Sequence, residues 1–186
     1  MNHLFDRWAE VSRGLRNPLL LFDYDGTLTP IVSRPELAVL STEMKELLML
    51  ASKRYRLGII SGRSLHDVRK FVGLRGIYYA GNHGFEVRGP GVNLVKSEAR
   101  EVRPFLSELC RKLRKELAPI RGVLIEDKGL TVSLHYRLVP REDVGKVKKT
   151  LRETAEPYLR SGHLRITHGK KVLEIRPNID WDKGKA

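Results

Sequence analysis

A single cysteine, Cys110, stands among the 186 residues, which excludes an intramolecular disulfide and a metal site built on several thiolates. It sits in LSELCRKLRKEL among strong helix formers, so a buried, inert thiol is expected. No apolar run approaches the roughly 20 residues that span a bilayer, and the amino terminus MNHLFDRWAEV has no apolar core of signal-peptide length. A cytoplasmic protein without membrane contact is the expectation. Acid is also scarce: 22 Asp and Glu against 35 Lys and Arg leave a formal net charge of +13. A basic surface attracts nucleic acid, anionic lipid and phosphorylated metabolites alike. Aromatic residues make up only 7%, and the aromatic interleaving and basic-helix motifs of nucleic-acid modules are missing, so nucleic acid is not the expected partner. Most of the charge reads as a solvated Lys-, Arg- and Glu-rich face of the kind thermophile proteins carry.

What is there begins with LLLFDYDGTLTP at residues 19 to 30. Four apolar residues run straight into two aspartates, a short buried strand ending in carboxylates that are costly without a partner such as a cation. With 41% hydrophobic residues the chain can bury a core, and its length allows one domain carrying a smaller insertion. Leu4, Trp8, Val11 and Leu15 recur at helical spacing before Pro18. A second helix is expected from Ser41 to Tyr55, a strand at RLGII (56–60), a helix capped by Ser64 and running through Lys70, and a strand at GIYYA (76–80). Strand and helix in this alternation predict parallel β-α-β units in a layered α/β sheet. The acids and glycines at the strands' carboxyl ends then fall on the edge where such sheets bind ligands.

From FEVRGPGVNLV, a hairpin turning at Arg88 to Gly91, the rhythm changes. Helices at about 98–117 and 141–156 are each followed by two alternating runs, GVLIEDKGLTVSLHYR and HLRITHGKKVLEIRP. This is α-β-β twice, expected to form two helices over a four-stranded antiparallel sheet with its own core. The expected organisation is therefore a first module of residues 1–87 and 177–186 and an inserted α+β module of 88–176.

The pattern DYDGT at a strand end, followed by ISGR at the next, resembles the haloacid-dehalogenase-like phosphatases. That resemblance implies a Rossmann-like parallel three-layer core with a cap, and a phosphatase acting through an aspartyl-phosphate. The chemistry of each position agrees. Phosphate-monoester hydrolysis is among the slowest uncatalysed reactions, and a covalent intermediate divides it into two easier steps. Asp23 is placed as nucleophile, and Asp25, two residues on, as the group that protonates the leaving alkoxide and then deprotonates water. Both are candidate Mg2+ ligands, since Mg2+ takes hard oxygens and offsets repulsion between carboxylate and phosphate. Ser61 and the amides near Gly62, with Arg63, are expected to hold phosphate oxygens. Lys183 in DWDKGKA resembles the family's phosphate-neutralising lysine. Read without the resemblance, Ser61 to Ser64 is simply a helix cap and Lys183 a surface lysine.

A narrower resemblance concerns substrate. GNHGFE, EDKGLTVSLHYR and LEIRP, in this order around the ISGR and DKG segments, are similar to the trehalose-6-phosphate phosphatase family. It implies a mobile cap that closes over a sugar phosphate, with Lys128, His135, Arg137, Glu174 and Arg176 as substrate contacts and Asn82 and His83 lining the core side. As ordinary strand residues, His135 reads as a cross-strand partner and Glu174 as the mate of Arg176 or Lys171. Sucrose 6-phosphate or mannosyl-3-phosphoglycerate phosphatases share the DxDGT-like chemistry and remain the nearest alternatives. Family members continue from the lysine segment through further strands to an acidic GDD-type motif that completes the cation site, whereas this sequence ends at Ala186. The sheet is therefore expected to lack strands beside Asp23, leaving an exposed edge. A trimmed sequence, a truncated or split product completed by a complementing chain or by self-association, and a different cation site all remain open.

Overall fold

The computed structural model describes Arg13 and residues 17–186; the expected first helix over residues 4–15 lies outside the described residues. The first sheet is five-stranded, in the order β1 (Leu19–Asp23), β2 (Arg56–Ile60), β3 (Tyr78–Gly81), β4 (Glu86–Gly89), β5 (Val92–Val95). β1, β2 and β3 pair in parallel, as the β-α-β rhythm requires, with Asp23 opposite Ile60 and Ile60 opposite Ala80. The crossovers are α1 (Thr42–Arg54) and α2 (Leu65–Val72). Ser41 caps α1 by accepting the Met44 amide (3.1 Å), with Lys53 and Arg54 in the last turn to complement the helix dipole. Ser64 caps α2 through the Asp67 amide (3.0 Å), and Gly73 ends it in the left-handed region at φ 67°.

Leu48 of α1 and Val68 and Val72 of α2 share one core cluster with Leu57, Ile59 and Tyr79, with Leu20 and Phe22 packed against it. Both helices therefore cover the same face of the sheet. On the other face Leu21 is 56% exposed, so β1 is a half-buried strand at the edge of the described sheet rather than the fully buried strand that its apolar run predicts. Of the expected three layers, the described residues supply the sheet and one helical layer.

The hairpin expected to open the inserted module at residue 88 instead extends the first sheet. β4 pairs antiparallel with β3, and β5 with β4. A 3-10 turn at Asn82–Gly84 folds the chain straight back onto β3, so the nearest open strand edge is that of the first sheet. The second sheet starts later, in the order β6 (Leu124–Asp127), β7 (Val132–His135), β9 (Val172–Pro177), β8 (Leu164–Gly169), all antiparallel. The helix expected at 98–117 is two, α3 (Ser97–Glu101) and α4 (Arg103–Leu117), broken at Val102 ahead of Pro104. The second runs later than expected, as α5 (Val144–Arg160). Leu106, Leu109 and Leu113 of α4 and Val147 and Leu151 of α5 bury against Val132, Leu134, Leu173 and Ile175. The α-β-β repeat thus forms the expected layer of helices over a four-stranded sheet. Cys110 is buried in this core, and burial pushes its thiol up.

Gly81 marks the tightest join between β3 and α2. A Cβ there would lie 2.3 Å from the Leu65 backbone nitrogen and 2.5 Å from its Cα. Gly81→Ala is expected to destabilise the protein by about 3 kcal/mol, since backbone must move to admit the methyl group, and a urea unfolding curve measures it.

Candidate active site

Parallel pairing brings three strand ends to one edge: Asp23 closing β1, Ser61-Gly62-Arg63 after β2, and Asn82-His83 after β3. The inserted sheet faces this edge with its polar side. Along β7 and β9 the period of two sends Val132, Leu134, Leu173 and Ile175 into the helical core, leaving Ser133, His135, Glu174 and Arg176 on the opposite face. Between the two modules lies a cleft of about 440 Å³ lined by residues of both.

At one end, Lys183 Nζ donates to Asp23 Oδ1 at 2.7 Å. The segment after β9 carries Lys183 back to the first module, where Trp181 Nε1 donates to the Gly84 carbonyl (3.1 Å) and Lys96 lies 4.2 Å over the Trp181 ring. Asp25 is held by Arg63 in a fork, Nε to Oδ2 at 2.9 Å and Nη2 to Oδ1 at 2.7 Å. Arg63 is itself buried, donates to the Pro35 carbonyl (2.8 Å) and lies 5.1 Å from the ring centroid of Tyr24 and 4.9 Å from that of Phe71. It therefore positions Asp25 from the wall of the cleft. Each Asp25 oxygen accepts one of these hydrogen bonds and keeps a second lone pair for another partner.

The two modules are clamped through a buried network. His83 Nε2 donates to Glu174 Oε2 (2.7 Å), and Lys128 Nζ donates to Glu174 Oε1 (3.1 Å) and to the Gly62 carbonyl (2.9 Å). Asn82 Nδ2 donates to the Lys128 carbonyl (3.0 Å) and its Oδ1 accepts from Thr131 (2.9 Å). Asn82 and His83 both adopt positive φ, 48° and 57°, a costly pair of conformations retained where the ring and amide must point across the cleft. Gly62 makes room for them, since a Cβ there would come 2.7 Å from the His83 ring.

Burial alone would raise the Glu174 carboxyl. The hydrogen bond from His83 and the charge of Lys128 more than offset it and hold the pKa at about 2. A carboxyl that ionises lower in the folded chain than its ordinary 4.5 contributes stability fully present above that value and lost as pH falls through about 2. Denaturant unfolding at pH 6, 4 and 3 is expected to show this loss, and Glu174→Gln to flatten the slope in that window.

Of the residues expected from sequence, Asp23, Asp25, Gly62, Arg63, His83, Lys128, His135, Arg137, Glu174, Arg176 and Lys183 line the cleft. Ser61 does not: it is fully buried, and its hydroxyl accepts the Arg63 amide at 3.1 Å. Asn82 is likewise buried as a clamp between modules. Glu174 pairs with His83 and Lys128, not with Arg176 or Lys171. Arg137 donates to the Lys170 carbonyl (3.0 Å), tying down the β8–β9 hairpin. His135 pairs across β6 and β7 with Glu126 (3.1 Å). The Glu126 carboxyl would be raised by burial, but this hydrogen bond and the charge of Lys128 bring it below its ordinary range. Glu126 and Ser133 also line the cleft and were not singled out from sequence, although Ser133 stands two positions before His135 on the same face of β7 and Glu126 two positions before Lys128. Thr167, His168 and Lys170 enter from the β8–β9 hairpin and Ile31 to Ser33 from the loop after β1, and no motif marks them.

Comparison with known proteins decides the family. The trehalose-phosphatase family model matches residues 21–186. The chain belongs to the trehalose-phosphatase family. It is 38% identical over 192 residues to probable trehalose-phosphate phosphatase D of Arabidopsis thaliana, covering 98% of this chain and 51% of that protein. It is 41% identical over 172 residues to the trehalose-phosphate phosphatase of Mycobacterium bovis, covering 92% and 43%. The chain thus spans about half the length of these curated relatives. The crystal structure of a trehalose-6-phosphate phosphatase related protein superposes with a TM-score of 0.80 at 24% identity, covering 90% of this chain and 70% of that one, a likeness of fold. The family resemblance carried by DYDGT, ISGR and GNHG is borne out, as is an α/β fold with a second, antiparallel sheet. Among the described residues no helix is long and apolar enough to cross a membrane.

Proposed function

We propose that this trehalose-phosphatase family chain binds trehalose 6-phosphate and hydrolyses it to trehalose and inorganic phosphate, in the cytoplasm. The observation that carries the reading is the Asp23–Lys183 pair at one end of a cleft whose other wall is the inserted sheet's face of donors and acceptors. The Asp23 carboxylate attacks phosphorus while Asp25, entering the cycle in its protonated form, gives its proton to the leaving sugar oxygen; the carboxylate so formed then takes a proton from the water that cleaves the aspartyl-phosphate, which restores the acid. Lys183 holds the nucleophile and offsets charge as the phosphoryl group arrives. Lys128, His135, Arg137, Glu174 and Arg176 read the sugar hydroxyls, with His83 on the facing side.

Phosphatases of this superfamily are generally metal-dependent, and Mg2+ is expected at Asp23 and Asp25. As arranged, the described residues make up only part of such a site. Asp23 Oδ1 accepts from Lys183 and both Asp25 oxygens accept from Arg63, and among the described residues no three His, Cys, Asp or Glu side chains gather as a metal site. No step above runs through the ion. The expected Mg2+ dissociation constant of the chain is millimolar or weaker, with little turnover by the chain alone, and calorimetric titration giving micromolar binding or rapid magnesium-dependent phosphate release would overturn that expectation.

The substrate test is a panel of trehalose 6-phosphate, sucrose 6-phosphate and mannosyl-3-phosphoglycerate with phosphate release as readout. Trehalose 6-phosphate is expected to have the highest kcat/KM, and a large advantage for either of the others removes the assignment. The occupied carboxylates favour one second reading, a sugar-phosphate-binding chain whose turnover needs a complementing chain or self-association. A melting temperature that rises with trehalose 6-phosphate while no phosphate is released supports it.

A further inference from the structure

The pairing of β8 with β9 sets Arg165 directly opposite Arg176. Their neighbours Ile166 and Ile175, also a cross-strand pair, pack into the helical core, so both arginines stand on the cleft side of the sheet. Like charges directly opposite each other destabilise a sheet. Here the cost is sharpened by burial, because Arg176 is only 7% exposed. The Nε atoms of both arginines are buried and have no hydrogen-bond acceptor among the described residues. Burial, with the Arg165 charge adding to it, lowers the pKa of Arg176.

The acids close enough to act on the pair are committed elsewhere. Glu174 accepts from His83 and Lys128, Asp182 Oδ1 accepts the Gly184 and Lys185 amides, and Asp180 pairs with Lys185. Arg176 spends Nη2 on the Trp181 carbonyl (3.1 Å) and lies 5.3 Å over the Phe85 ring, contacts that hold its plane while its Nε–H finds no acceptor among the described residues. Buried donors without acceptors are rare in folded chains and call for a partner. Guanidinium groups carried by directly opposed residues on one face of a sheet offer donors that an oxyanion can accept while offsetting their repulsion.

We propose that Arg165 and Arg176 form an anion-binding site for a small oxyanion, phosphate or sulfate or a phosphoryl group, distinct from the Asp23–Lys183 pair. The site shares Arg176 with the sugar-reading wall proposed above, but phosphate affinity is read here without turnover, so its failure and the failure of the phosphatase reading are distinguishable. It has a route to the other end of the cleft: Arg176 holds the carbonyl of Trp181, two residues before Lys183. An anion that steadies Arg176 therefore steadies the segment that presents Lys183 to Asp23.

The test uses the Lys183→Gln chain, so that phosphate binding beside Asp23 is not what is read. Calorimetric titration with inorganic phosphate is expected to give one saturable site. Adding Arg165→Gln is expected to weaken it at least tenfold and, measured without phosphate, to raise the melting temperature because the repulsion is relieved. Arg165→Lys, which keeps the charge but not the fork, is expected to fall between and serves if Arg165→Gln does not fold. Competition by sulfate alone identifies a free inorganic anion, and competition by glucose 6-phosphate as well identifies recognition of a phosphoryl group. Absence of saturable phosphate binding to Lys183→Gln, or equal affinity with and without Arg165, overturns the proposal.

Discussion

Replacing Asp23 with Asn is expected to lower phosphate release from trehalose 6-phosphate by more than about 10³-fold, because an amide neither attacks phosphorus nor leaves as a carboxylate from the intermediate. Fold is expected to survive. Asp23 is part-exposed at the end of β1, and its one described side-chain partner, Lys183, is also part-exposed, so the loss of this pair costs little stability. The informative readout is thus activity beside an unchanged melting temperature. Undiminished activity in Asp23→Asn would remove it as nucleophile and with it the proposed mechanism. Asp25→Asn separates the second role: proton transfer is slowed, so kcat falls while KM is expected to move little. The same variant frees Arg63 from its charged partner.

Removing Glu174 is the largest expected effect on stability. Its side chain and that of Lys128 are 11% and 9% exposed, and breaking a buried pair from one side leaves an uncompensated charge at a cost of about 3–5 kcal/mol. For a chain of this size that is roughly 6–20 °C in melting temperature. Glu174→Ala also strips the clamp that joins His83 to the inserted sheet, so the cleft is expected to open, with faster amide exchange at Gly62 and His83. The control is the double variant Lys128→Met with Glu174→Leu, which removes both charges and is expected to recover much of the loss. A single variant as stable as wild type would mean that the network contributes nothing to holding the modules together.

The two predictions differ in how visible their residues are in sequence. Asp23 is legible because its chemistry is local: two acids, a glycine and a hydroxyl within five residues, delivered by an apolar run. Helix caps at Ser41 and Ser64, the strand at 56–60 and the doubled α-β-β pattern are legible for the same reason, since each depends on near neighbours and a fixed period. Glu174 is different. As a strand residue it has plausible mates at Lys171 and Arg176, and only the docking of the inserted sheet chooses His83, 91 positions away, and Lys128, 46 away. Ser61 shows the converse. Its motif suggested phosphate contact, and only the turn out of β2 decides that its side chain is buried with the hydroxyl oxygen accepting the amide of Arg63.

The hairpin at 86–95 marks another limit. Its two strands alternate as a sequence should, yet alternation does not say which sheet will take them; the sharp return at Asn82–Gly84 decides for the first. The opposition of Arg165 and Arg176 is equally hidden, being a matter of register between β8 and β9.

Local chemistry in the chain therefore determined the carboxylate pair, the parallel β-α-β core, the doubled antiparallel unit and the family to which all of it belongs. Tertiary structure decided which cation meets which acid: Lys183 on Asp23, Arg63 on Asp25, Lys128 on Glu174, and Arg176 with no acceptor for its Nε among the described residues. The reason is physical. Strand and helix periods are set within a few residues, whereas the energy of a buried charge depends on whatever distant group shares its enclosure.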